Sequence, residues 1–127
     1  MSKRTLYPSG AIWEDIVGYS RAVKCGNVIE ISGTTAFVNG NIEGKGDYYI
    51  QTKTILEKIS GILKKAGSSL EAVTRTRIYV RDISKWDEVA RAHLEFFQNI
   101  RPATSMVEIT ALIDPELLVE IEATAVV

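Results

Sequence analysis

Two different spacings of apolar residues run along this chain, and they divide it into strands and helices. A strand is predicted from about Tyr19 to Lys24, then a turn at Cys25-Gly26-Asn27. A second strand follows, Val28-Ile29-Glu30-Ile31-Ser32-Gly33, rich in β-branched residues, and the pair reads as a hairpin. Asn39-Gly40-Asn41 and Gly44-Lys45-Gly46-Asp47 then read as a turn-rich loop. From Asp47 the period changes. Leu56, Ile59, Leu63 and Ala66 recur three and four residues apart, with Ile55 and Ile62 widening the stripe, and this predicts a helix ending at a Gly67 cap.

A second helix is expected with Ser84 as its N-cap and Asp87 and Glu88 in its first turn, where the helix dipole favours acids. Its buried side would hold Trp86, Val89, Ala90, His93, Leu94 and Phe97, and Pro102 limits its extent. Between the helices lies the strand Val73 to Arg81. Two more strands are predicted after the second helix, Ala103 to Ala111 and Leu118 to Val127, separated by a turn at Asp114-Pro115-Glu116. The order β-β-α-β-α-β-β, without repeat, linker or low-complexity segment, predicts one α+β domain over residues 1–127, with two helices on one face of a mixed sheet.

Alternation within the strands assigns their faces. Val119, Ile121, Ala123 and Ala125 share one face, and Glu120, Glu122 and Thr124 the other. Thr76, Ile78 and Val80 oppose Arg75, Arg77, Tyr79 and Arg81. Ala103, Ser105, Val107 and Ile109 oppose Thr104, Met106, Glu108 and Thr110. The small and apolar faces, including that of Ala103, Ser105 and Val107, are expected beneath the helices. Arginines and glutamates then gather on the open side, which must meet either water or another copy of the chain. Tyr79, Met106 and the use of Arg over Lys favour an oligomer.

Composition narrows the function classes. The 127 residues carry 15 Lys plus Arg against 16 Asp plus Glu, and 46% are hydrophobic. Near-neutrality argues against a broadly basic nucleic-acid surface, and the hydrophobic content against a disordered tail. No apolar run approaches the ~18 residues of a membrane span, and the polar start Met1-Ser2-Lys3-Arg4 does not read as a signal peptide. One cysteine, Cys25, and one histidine, His93, give no disulfide and no zinc-ligand set, so the expected setting is cytoplasmic.

Candidate chemistry is sparse. Glu120 and Glu122 on one strand face could divide acid and base roles, or simply be structural acids. Cys25 and His93 could pair as nucleophile and base, although a packed or hydrogen-bonded helical histidine is the simpler reading. Ser32-Gly33-Thr34 places a glycine at a strand end, where a backbone N–H could meet a ligand oxygen. The Arg75, Arg77 and Arg81 stripe around Tyr79 could touch RNA, but the neighbouring glutamates would repel phosphate.

Several segments in order carry a resemblance to a known family. They are Gly18-Tyr19-Ser20-Arg21-Ala22-Val23, Ile31-Ser32-Gly33, Arg77-Ile78-Tyr79-Val80-Arg81-Asp82, Phe96-Phe97, Arg101-Pro102-Ala103-Thr104-Ser105 and Val119-Glu120-Ile121-Glu122-Ala123. Together the chain resembles the RidA/YjgF family of reactive-intermediate imine deaminases, formerly described as endoribonuclease L-PSP. The resemblance implies a chorismate-mutase-like fold and a homotrimer with sheets facing inward and clefts between subunits. It implies hydrolysis of a small enamine or imine to a keto acid and ammonia, with no metal or organic cofactor.

By the same resemblance Glu120 matches the acid that positions the attacking water, Tyr19 the cleft tyrosine, and Gly33 the glycine whose N–H contacts ligand. Ser32, Thr34 and Met106 fall beside these positions as further expected substrate-binding residues. Where family deaminases have an arginine that clamps the substrate carboxylate, this chain has Thr104, which offers one neutral hydroxyl donor. Arg77 could supply a replacement cation or pair with a glutamate. Trp13-Glu14 stands where typical deaminases are rich in Ala and Pro, and could reshape the cleft mouth. The expectation is a deaminase-type hydrolase with altered substrate choice. The alternatives are a non-catalytic metabolite-binding or regulatory trimer and a ribonuclease-like activity.

Overall fold

Ile55, Leu56, Ile59 and Leu63 are fully buried along one side of a helix, so this stripe has a sheet to cover. The computed structural model describes residues 3–127; Met1 and Ser2, which open the polar N-terminal stretch, lie outside the described residues. The elements are β1 (Arg4–Tyr7), α1 (Ile12–Val17), β2 (Ala22–Cys25), β3 (Val28–Thr34), β4 (Phe37–Val38), β5 (Asn41–Ile42), α2 (Tyr48–Lys65), β6 (Val73–Val80), α3 (Trp86–Phe97), β7 (Ala103–Glu108) and β8 (Val119–Val126). A six-stranded sheet has the order β1-β2-β3-β8-β6-β7, and β4 and β5 form a separate small hairpin.

β3 and β6 both pair antiparallel with the central β8, so they run in the same direction, and α2 is the crossover between them. β6 and β7 pair in parallel, with α3 as their crossover. α2 begins where Asp47 Oδ1 accepts from the Ile50 amide at 2.9 Å, and its end is closed by Gly67, at φ +78°. Gln51, fully buried on α2, donates Nε2–H to Glu116 O at 2.9 Å and Gly44 O at 3.2 Å, and accepts from the Leu118 amide at 2.9 Å. That side chain ties the start of α2 to the start of β8.

The mixed α+β class and the helix at 47–67 agree with the sequence reading, while four short elements exceed it. β1 and α1 precede the expected first strand, and the turn-rich loop contains the β4–β5 hairpin. Tyr19 lies before β2 rather than within it. α3 starts at Trp86 with Lys85 at its N-cap and no capping side chain, so Ser84 does not cap it; Asp82 instead accepts from the Ser84 amide at the start of the short turn Ile83–Lys85 that leads into the helix.

Two expectations about burial are corrected. Parallel register sets Thr76 beside Thr104 and Ile78 beside Met106, so Thr104 and Met106 occupy the helix side of β7 while Ser105 lies with Arg75 on the open side. Ala103 and Val107 lie with Ser105 on that open face, which no helix covers, and are exposed there. On α3, Val89 and Phe97 are buried as expected, but Trp86 and Leu94 are 57% and 52% exposed, where they line an open cavity beside the helix.

Candidate functional site

Tyr19, Gly33, Glu120 and Trp13 line one cavity of about 570 Å³, bounded by α1, the loop before β2 and the β3–β4 connection. The β3–β8 register shifts between Ile31 and Thr34, leaving Ser32 and Gly33 outside the regular pairing. Gly33 consequently sits directly beside the Glu120 side chain. A β-carbon on Gly33 would lie 2.8 Å from the Glu120 carboxyl carbon and 2.9 and 3.1 Å from its oxygens. The absence of a side chain at Gly33 makes room for the acid.

Glu120 is half-buried, and burial, then repulsion from Glu122, raises its carboxyl above the usual range, while Arg21 opposes the shift. Arg21 is a site residue that no functional role drew attention to in the sequence. It is 9% exposed; Nη1 donates to Gly33 O at 2.9 Å and Thr34 Oγ1 at 3.3 Å. Its guanidinium lies 5.5 Å from the Tyr19 ring centroid, within cation–π range. Glu14, also buried, brings Oε2 to 3.9 Å from Arg21 Nε and accepts from the Ser9 hydroxyl and amide. α1 is therefore fastened over the cavity by a carboxylate pointing inward, which the neighbouring Trp13 does not reveal by period alone.

Lys58 is the second unforeseen residue. It reaches from α2 into the same cavity wall and donates to Thr35 O at 2.8 Å and Phe37 O at 2.6 Å. Burial, then the Arg21 charge, lowers its ammonium from 10.5 to about 8. Its position just outside the α2 core stripe is the only sequence signal it leaves.

Of the other expected residues, Ser32 donates its hydroxyl to Ser20 O at 2.7 Å, and Thr34 is buried, giving its hydroxyl to Ser32 O at 2.8 Å. Both brace the cavity wall. Arg77 is on the open face with Nε 3.7 Å from Glu122, and Tyr79 donates to the same carboxylate at 3.0 Å. Thr104 and Met106 lie apart, in a second cavity of about 540 Å³ beneath α3 on the opposite side of the sheet. There Thr76 donates to Thr104 at 2.7 Å and its oxygen is 3.0 Å from His93 Nε2. The His93 ring packs on Phe97 with centroids 4.6 Å apart, and burial lowers its pKa. His93 is thus a hydrogen-bonded core histidine, and Cys25 is exposed at the far end of β2, opposite Arg4. Among the described residues no group of three or more His, Cys, Asp or Glu is placed to hold a metal ion, and no helix is long and apolar enough to cross a membrane.

A family model described as Endoribonuclease L-PSP matches residues 9–127. The 3-aminoacrylate deaminase RutC of Acinetobacter baylyi is 33% identical over 126 residues, 98% of this chain and 98% of its own length. An uncharacterized protein of Streptomyces coelicolor is 37% identical over 117 residues, or 92% of this chain and 87% of that one. Among solved structures, Rv2704 of Mycobacterium tuberculosis, described as a member of the YjgF/YER057c/UK114 family, has 50% identity and a TM-score of 0.90, covering 98% of this chain and 100% of that chain. YyfA of Yersinia pestis, described as belonging to the conserved Rid protein family, has 27% identity and a TM-score of 0.87, with coverage of 98% and 100%.

Proposed function

This chain belongs to the endoribonuclease L-PSP (YjgF/Rid) family, and from that premise we propose that it hydrolyses a small enamine or imine to a carbonyl compound and ammonia. The observation that carries the reading is the convergence of Tyr19, Gly33 and Glu120 on one cavity. The deaminase name of the Acinetobacter relative supports the reaction class.

In this reading water adds across C=N, and Glu120 takes a proton from the attacking water. Glu120 returns that proton to the imine nitrogen, giving the neutral carbinolamine; it then takes the hydroxyl proton as C=O forms and passes it to the nitrogen as C–N breaks, so the nitrogen leaves as ammonia. A carboxyl raised by burial suits these transfers, because it gives and regains its proton more evenly than an exposed acid. Gly33 keeps the acid against the strand, and Tyr19 and Trp13 shape the entrance. Thr104 and Met106 lie on the other side of the sheet of the same chain, so a cleft containing both sets draws them from two copies. That supports the homotrimer with intersubunit clefts as part of the proposal.

The test is release of ammonia and of the oxo acid (a 2-keto acid from freshly generated 2-imino acids, an aldehyde acid from 3-aminoacrylate), with Thr104→Arg in parallel. Turnover by the unmodified protein that is lost in Glu120→Gln is expected. No turnover by either the unmodified or the Thr104→Arg protein, across several imino acids, overturns the reading. The neutral hydroxyl at Thr104 favours a second reading, a trimer that binds a small metabolite without consuming it, and a ligand that raises Tm and is recovered intact would identify that case. The ribonuclease reading has less support, since Arg75 donates to Ser105 at 3.0 Å and Arg77 faces Glu122.

A further inference from the structure

The cavity wall contains two cations and only one of them has an acidic neighbour. Arg21 has Glu14 near its Nε, although that nitrogen is buried and makes no hydrogen bond. Lys58 has no carboxylate within 4.0 Å among the described residues. Its ammonium carries three N–H groups, and two are used by the carbonyls of Thr35 and Phe37. A half-buried cation without a counter-charge is costly, and the Arg21 guanidinium adds to that cost. Two carbonyls nonetheless hold Lys58 at the cavity, so its charge is positioned rather than left to swing into solvent.

We propose that Lys58, backed by Arg21, is the carboxylate anchor of this cavity, so that the anion-binding cation comes from α2 and not from the strand position occupied by Thr104. The ligand class is a small monocarboxylate, with its carboxylate on the remaining Lys58 N–H and its reactive carbon toward Glu120. A charge-assisted bond to a partly desolvated ammonium is stronger than the neutral bond a threonine hydroxyl can give. The identity of the ligand as an imino acid rests on the proposed reaction; the carboxylate selectivity does not.

Calorimetric binding of pyruvate, a small 2-keto monocarboxylate, and of its uncharged amide, pyruvamide, separates the two. The full chain is expected to bind pyruvate more tightly than pyruvamide. Lys58→Met should weaken pyruvate by roughly tenfold or more while Lys58→Arg retains it. The other charged groups facing Lys58 are Arg21, with Glu14 and Glu120 beyond it, and Lys58→Arg leaves all three in place.

In the unmodified protein, pyruvate binding should weaken as pH rises from ~7 to ~9, through the Lys58 titration, while in Lys58→Arg it should not. This comparison needs no variant that removes the cation and therefore does not depend on Lys58→Met folding. Equal affinity for pyruvate and pyruvamide, or pyruvate binding unchanged in Lys58→Met, overturns the proposal. So does an affinity in the unmodified protein that is independent of pH over that range. Lys58-dependent pyruvate binding without any imino-acid turnover supports the anchor and counts against the proposed reaction alone. Undiminished turnover with an unchanged KM in Lys58→Met has the opposite meaning.

Discussion

The carboxyl carbon of Glu120 occupies the space beside Gly33 so closely that a β-carbon there would stand 2.8 Å from it. The obstructing atoms are the far end of a flexible side chain, which can move aside. Gly33→Ala should therefore displace the carboxyl without unfolding the sheet. Turnover is expected to fall at least ~10-fold while stability changes by less than ~1 kcal/mol. Steady-state kinetics beside thermal melts checks both.

Glu120→Gln separates function from stability with a definite sign. Burial and Glu122 raise the Glu120 carboxyl above 4.5, so the folded protein holds its proton more readily than the unfolded chain does. Stability then falls as pH rises from 4.5 through the folded value, and the full cost is present near neutrality. The glutamine variant should lose activity by ~10²-fold or more, yet melt higher than the unmodified protein at pH ~7. Below pH ~4 that advantage should vanish, which melts across pH will show.

His93 predicts the opposite acid limb. Its pKa is lowered from 6.5 by burial, so the unfolded state binds the extra proton first. Stability should fall as pH drops below 6.5 and on through the folded value. His93→Gln retains a donor for Thr76 and should flatten this slope. Denaturant titrations at several pH values are the measurement.

Gln51→Leu should destabilise by about 2–4 kcal/mol, because Gly44 O, Glu116 O and the Leu118 amide all lose a partner in one step. Since Leu118 leads into β8, a fall in turnover in the still-folded fraction would indicate that Glu120 is positioned through this link. Urea unfolding and activity per folded molecule distinguish the two effects.

Thr104 and Glu120 illustrate how far a sequence motif reaches. Both were legible as positions of interest, yet they lie on opposite sides of the sheet in one chain. Lys58 and Arg21 show the converse. Lysine on a helix and arginine before a strand are ordinary in sequence, and they become site residues only because the end of β3 and the chain after it bring the carbonyls of Gly33, Thr35 and Phe37 against them.

By itself the sequence determined the α2 stripe, its Asp47 and Gly67 ends, and the sharing of one strand face by Arg77 and Tyr79 and of another by Glu120 and Glu122. These are local consequences of period and capping, since residues two apart on a strand or three and four apart on a helix must point together. Tertiary structure alone decided which face of β7 meets the helices, how closely Gly33 approaches Glu120, and that Lys58 borders a cavity. Those depend on pairing between distant segments. Alternation says which residues travel together, but only the neighbouring strand's register says toward what.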